Sequence, residues 1–238
     1  QTYNMYTAEP VTIVMAEARV SAYLKAEGEN ADLQAYKKED KIIPWKVAGH
    51  YKGADLVGME YEQLLPWIKP MGDGAFRVIP GDYVTTDDGT GIVHIAPNFG
   101  ADDANVARKA GVPAIVLIDK KGAQRPVVDL QGKYYVLEDL DTDFVAKYVN
   151  VDGWSQYAGR YVKNAYDDTL TDKDETLDIS ICMDLKQQNK AFKIEKHVHN
   201  YPHCWRTDKP ILYYPLDSWF IRSTAKKERM SELNKTIN

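Results

Sequence analysis

The sequence predicts a β-rich α+β fold, a β-barrel-like domain decorated by helices. Three features carry that expectation. Short runs of strand composition recur along the chain, bounded by Gly, Pro, Asn and Asp. Only a few stretches space their small or apolar residues at helical intervals. No internal repeat or low-complexity tract replaces this pattern. At 238 residues, 44% hydrophobic and 27% charged, the chain suits one large domain, or one domain with part of another, and can bury a core without covalent staples.

Gln1 to Tyr6 and Val11 to Met15 flank Thr7-Ala8-Glu9-Pro10, which reads as a hairpin turn. Ala16 to Ala26 has helix-forming composition and stops before Gly28, and Leu33 to Ile42 is a charged surface stretch. Trp45 to Ala48 and Leu56 to Met59 read as short strands among glycines, followed by a loop-rich crossing through Pro66, Pro70, Gly72 and Gly74. Phe76 to Ile79, Tyr83 to Thr86 and Ile92 to Ile95 have strand composition, and Asp88-Gly89 is a hairpin signal because both residues tolerate the positive φ of tight turns. Ala104, Ala107 and Ala110 then fall at helical spacing, with Arg108 and Lys109 in the last turn and Gly111 just beyond. Ala114 to Ile118 reads as a buried strand.

Further on, Phe144 to Val149 and Tyr161 to Tyr166 read as short helices. Asp172 and Glu175 resemble a capping box ahead of Leu177, Ile181 and Leu185, which share one helix face. Phe192 to Val198 alternates as a strand, Ile211 to Tyr214 is another, and Ser223 or Thr224 caps a last helix with a Met230/Leu233/Ile237 stripe.

Composition excludes several function classes. A net charge of −5 and a pI of about 5.6 do not suit a basic face gripping long nucleic acid, although contact with a single-stranded end is compatible. Cys182 and Cys204 lack the count and spacing of a disulfide framework or a four-cysteine zinc site. No apolar run approaches the roughly 20 residues of a membrane span. No secretory h-region is present either, and a cytoplasmic, reducing context follows as the expectation. Gly89-Thr90-Gly91 is not a dinucleotide fingerprint, since His94 stands where the third glycine belongs, and no phosphate-binding G-x-x-x-x-G-K-[ST] loop occurs.

The richest stretch is Asp87 to Asp103: a turn, a strand carrying His94, a Pro/Gly loop, and a helix start bearing Asp102 and Asp103. A lone strand histidine is ordinarily structural. Acids in a first helical turn ordinarily cap N–H groups, a task worth roughly 0.3–1 kcal/mol. Two adjacent acids cannot both point the same way, however, and the second is placed to hold a cation such as an ammonium. Elsewhere His197, His199, His203 and Cys204 invite a zinc reading, against the plainer one of a solvent-facing strand edge shared with Lys193 and Glu195. No Ser/His/Asp or Cys/His nucleophile set can be assembled.

Gly89-Thr90-Gly91-Ile92-Val93-His94-Ile95-Ala96-Pro97, followed by Gly100-Ala101-Asp102-Asp103, resembles the editing-domain signature of isoleucyl-tRNA synthetases. Tyr201-Pro202-His203-Cys204-Trp205-Arg206, Lys209-Pro210 and Ser218-Trp219-Phe220-Ile221 resemble the segment that leads from that domain back to the synthetic core, and Gly159 to Asp167 fits more loosely. Valyl and leucyl relatives share the glycine turn but differ at His94 and around Ala96-Pro97 and Gly100.

The resemblance implies an editing domain over 1–200 and a connecting segment over 201–238. Gly89, Thr90, Gly91, His94 and Asp103 would bind substrate, with His94 and Asp103 as the catalytic residues: Asp103 on the α-ammonium of a misattached valine, His94 shaping the pocket against isoleucine. The implied partners are a tRNA acceptor end and the remainder of the synthetase, with no membrane and no metal. No cofactor is implied in this stretch; ATP and Mg belong to the parent's synthetic core. The family pocket also uses a threonine-rich strand and a Trp-Thr-Leu-Pro-like segment that are not found in these residues, and the HIGH and KMSKS motifs are absent. The resemblance therefore implies a pocket lacking one wall and no activation of isoleucine. A valyl or leucyl editing domain, or a non-catalytic insertion that binds the tRNA end, remain the alternatives.

Overall fold

The computed structural model describes residues 1–171, 173–196 and 198–236. Among them lie seven α-helices and two small antiparallel sheets. The first sheet is the expected N-terminal hairpin, β1 (Thr2–Tyr3) and β2 (Pro10–Val11), paired Thr2 to Val11 and Tyr3 to Pro10. Asn4 makes the turn. Its side-chain oxygen accepts from the N–H groups of Tyr6 at 2.8 Å and Thr7 at 3.4 Å. Its amide donates 2.8 Å to the Ala191 carbonyl. Asn4 is 2% exposed, so this local turn is also the hairpin's tie to a distant part of the chain.

The helix expected over Ala16 to Ala26 divides into a 3-10 turn at Glu17–Arg19, α1 (Val20–Tyr23) and a second 3-10 turn at Ala26–Gly28. Val, Ser and Tyr are weak helix formers, and nearby contacts compete. Trp45 donates its indole N–H to the Lys25 carbonyl and its backbone N–H to Gly28, each at 2.8 Å. A single helical turn, α2 (Gly53–Leu56), follows.

The main core forms around Ile68, Leu117, Leu140, Phe144 and Trp154, with Trp67, Tyr134 and Tyr148 against it. Leu117 is fully buried in β3 (Leu117–Ile118), paired with β4 (Gln124–Arg125). Asp119 builds the intervening turn: one carboxylate oxygen accepts from the N–H groups of Lys121 and Ala123, both at 2.9 Å, and the other from Arg125 at 2.7 Å. Two helices close the core. Asp141 caps α4 (Thr142–Tyr148) through the Phe144 N–H, and Asn150 caps α5 (Val151–Ser155) through the Gly153 N–H. Trp154, on α5, donates its indole N–H 2.8 Å to the Tyr135 carbonyl, satisfying the polar atom of a ring that is 1% exposed.

Helix α6 (Leu177–Gln187) is capped by Thr176, whose hydroxyl accepts from Ile179 N. Of the proposed capping box, Asp172 lies outside the described residues; Glu175 accepts from the Ser180 hydroxyl. A last helix, α7 (Lys227–Asn234), starts after a 3-10 turn at Ser223–Ala225 with no side-chain cap. Met230 and Leu233 are exposed there, and Ile237 lies outside the described residues.

No closed barrel is present among the described residues, which corrects the barrel expectation. The runs 76–79, 83–86, 92–95 and 211–214 form no ladder; the nearest approach is a single antiparallel bridge of Glu60 with Arg77. Strand composition favours an extended backbone, but a sheet needs non-local partners in register. Here Pro80, Gly81, Pro97 and a positive φ of 53° at Phe76 interrupt the runs within a few residues.

Candidate functional site

The Asp87 to Asp103 stretch folds as two small closures with His94 between them. The first is the glycine turn. Gly89 (φ 56°) and Gly91 (φ 76°) both occupy the left-handed region. The Asp88 carboxylate accepts from the Gly89 N–H at 2.7 Å. The turn is held from outside by residues that belong to no motif of this stretch. Arg19 donates 2.8 Å to the Gly89 carbonyl and 3.0 Å to that of Asp87, and the Ala16 N–H donates 2.8 Å to the Thr90 carbonyl. A Cβ on Gly91 would lie 2.6 Å from that of Ala16. Arg19 and Ala16 are remote in sequence and belong to no motif, so only folding reveals them.

Ile92 to Ile95 carries His94 without a strand ladder among the described residues, and Ile92, Val93 and His94 are exposed. The strand expected to carry His94 is therefore not formed among the described residues. The His94 ring makes no hydrogen bond among the described residues.

The second closure is the loop leading into α3 (Ala101–Ala110). Gly100 is the N-cap, and its carbonyl accepts from Ala104 N at 2.9 Å. Asp103 reaches back, and its Oδ2 accepts from the Ala96 N–H at 3.0 Å. Its Oδ1 takes no hydrogen bond among the described residues. Asp102 is exposed while Asp103 is half-buried, so the two acids diverge as adjacent positions on a helix must. Asn98 donates 2.8 Å to the Ile115 carbonyl, and the Phe99 ring stands edge-on to Tyr214, centroids 6.4 Å apart. The helix behind is seated by Ala107, 2% exposed, and ends at Gly111 with φ 67°, as its sequence predicts.

The histidine–cysteine set lies elsewhere. His203 bridges Pro210, and Cys204 N donates 2.9 Å to the Lys209 carbonyl, making a short ribbon. Hydrogen bonds from the Thr207 hydroxyl and from the Arg206 and Thr207 N–H groups hold the Cys204 thiol below its ordinary value. His197 lies outside the described residues, and among the described ones no three His, Cys, Asp or Glu side chains converge as metal ligands. No described helix is long and apolar enough to cross a membrane.

No family model matches the chain. Individual relatives do, over its whole length. An isoleucine–tRNA ligase of Bacteroides fragilis is 66% identical across all 238 residues. That of Porphyromonas gingivalis is 56% identical over the whole chain, and that of Cytophaga hutchinsonii 51% over the whole chain. The chain belongs to the isoleucine–tRNA ligase family. It spans 21% of the length of each of these three relatives. The matched stretch is thus one part of a longer sequence in each of these relatives.

Proposed function

We propose that this chain is the editing segment of an isoleucine–tRNA ligase and takes part in hydrolysing valyl-tRNA(Ile). The observation that carries the reading is Asp103. Its carboxylate turns inward from the start of α3, with one oxygen on the Ala96 N–H and the other without a partner among the described residues. A carboxylate with one oxygen clamped and one available suits the α-ammonium of an esterified amino acid, a charge-assisted bond of roughly 1.5–3 kcal/mol. The need for a second site is physical. One missing methylene is worth only about 1–3 kcal/mol of discrimination, a general figure for which this family is itself the standard illustration.

In this reading the glycine turn shapes the entrance through Gly89, Thr90 and Gly91, and His94 excludes the larger isoleucine side chain. Water attacks the ester carbonyl, the acyl–oxygen bond breaks, and the ribose hydroxyl leaves with the proton. The tRNA acceptor end and the rest of the ligase are the partners, in the cytoplasm. No cofactor is assigned to this chain, ATP and Mg serving synthesis elsewhere in the ligase.

Asp103→Asn is the sharpest test, because it keeps an acceptor for Ala96 N and removes the charge. In a full-length ligase carrying this chain, deacylation of valyl-tRNA(Ile) should fall by about tenfold or more, with unchanged thermal stability. Undiminished deacylation would exclude the Asp103 role. His94→Ala should instead let isoleucyl-tRNA(Ile) be hydrolysed.

A further inference from the structure

A groove of about 380 Å³ is lined by Lys163, Lys196, His199, Tyr201, His203 and Pro210 among others. Its chemistry departs from the rest of the chain. The whole sequence carries 35 acidic against 30 basic residues, yet among the described residues no carboxylate lines this groove. The nearest acid along the segment, Glu195, is paired with Lys193 at 2.7 Å. Among the described residues neither Lys163 nor Lys196 is in an ion pair.

The aromatic residues are ordered. Positions 199, 201 and 203 alternate along an extended segment, which puts their side chains on one face. The rings stand edge-to-face, His199 to Tyr201 at 5.8 Å and Tyr201 to His203 at 6.3 Å. The Lys163 ammonium lies 4.7 Å from the Tyr201 ring centroid. This side is fixed to the body of the protein by the Tyr166 hydroxyl, which donates 2.7 Å to the Pro210 carbonyl. The neighbouring cleft of about 210 Å³ mixes Lys133 and Arg160 with Asp167 and Glu175, so its field does not select an anion. A row of rings flanked by unpaired ammonium groups is the combination that holds single-stranded nucleic acid, where bases stack on π faces and phosphates meet cations.

We propose that this groove binds a single-stranded RNA segment, bases against Tyr201 and His203 and phosphates at Lys163 and Lys196. The choice of RNA rests on the editing reading; the groove itself is a separate place from the Gly89–Asp103 stretch and is tested separately. The experiment uses a full-length ligase carrying this chain and a short, labelled, single-stranded RNA bearing thiouridine. Photocrosslinks should map to the peptide containing Tyr201. Tyr201→Ala should weaken binding by about tenfold and Tyr201→Phe should keep it, since the ring is what stacks. Lys163→Gln and Lys196→Gln should each reduce the salt slope of binding by about 0.7.

Crosslinks mapping elsewhere, or affinity and salt slope indifferent to all of these variants, would overturn the proposal. Equal competition by duplex RNA would overturn the stacking, and displacement by polyglutamate as effective as by RNA would make the groove an acidic-peptide site instead. Hydrolysis that depends on Asp103 with no groove binding removes this inference alone. Groove binding with hydrolysis indifferent to Asp103→Asn removes the editing reading alone.

Discussion

At the scale of single residues, Gly91 shows how tightly one position can be specified. Its φ of 76° lies where a Cβ costs about 1–2 kcal/mol, and the added methyl would also meet Ala16 at 2.6 Å. Gly91→Ala should therefore destabilise the protein by at least that amount, read from the denaturation midpoint. Gly89 also has a positive φ but nothing within 4 Å of an added Cβ. Gly89→Ala should cost only the backbone term. A smaller effect at Gly91 than at Gly89 would mean that the Ala16 contact is not a constraint. The positive φ at Gly89 was legible, because Asp-Gly announces a turn by itself. The Ala16 contact was not, because nothing local records which segment will lie against it.

Among elements, the β3–β4 hairpin hangs on Asp119. Hydrogen bonds from Arg125 and then from the Ala123 N–H hold its carboxyl below the ordinary value of 3.8. A carboxyl lowered on folding contributes stability that is complete above its unfolded value and is lost as pH falls through the folded one. The hairpin should thus loosen below about pH 4, seen as faster exchange of the Lys121 and Ala123 amides. Asp119→Asn should flatten that dependence; an unchanged acid profile would assign it to other carboxylates. Helix α3 presents the opposite case in legibility. Its acidic start, basic end and Gly111 stop are all local signals, and the structure reproduces them. The strand-like runs at 76–79 and 92–95 carried equally plain local signals and formed no ladder, since pairing depends on a partner the run does not encode.

For the molecule as a whole, the accessible surface is 17,609 Å². A compact protein of its 27.0 kDa would show about 11,000 Å². Part of the exposed surface is apolar: Trp219, Phe220 and Ile221 are each more than four-fifths exposed. Patches of that kind are ordinarily covered by another surface. Since the urea m-value follows the area exposed on unfolding, the isolated 238-residue chain should show about three quarters of the m-value of a compact protein of its size. A full-size m-value would mean that the chain alone closes further.

Local sequence was enough for the family resemblance, the acidic start and Gly111 stop of α3, and the N-terminal hairpin. Each of these depends on a few neighbouring residues whose preferences agree. Folding in three dimensions settled that Arg19 grips the glycine turn across 70 residues and that Lys163 lies over Tyr201. Those outcomes depend on which distant segments meet, and short-range propensity is silent on that. The same gap separates a chain rich in strand-forming runs from a barrel: extended backbone is a local preference, and closure is a property of every partner at once.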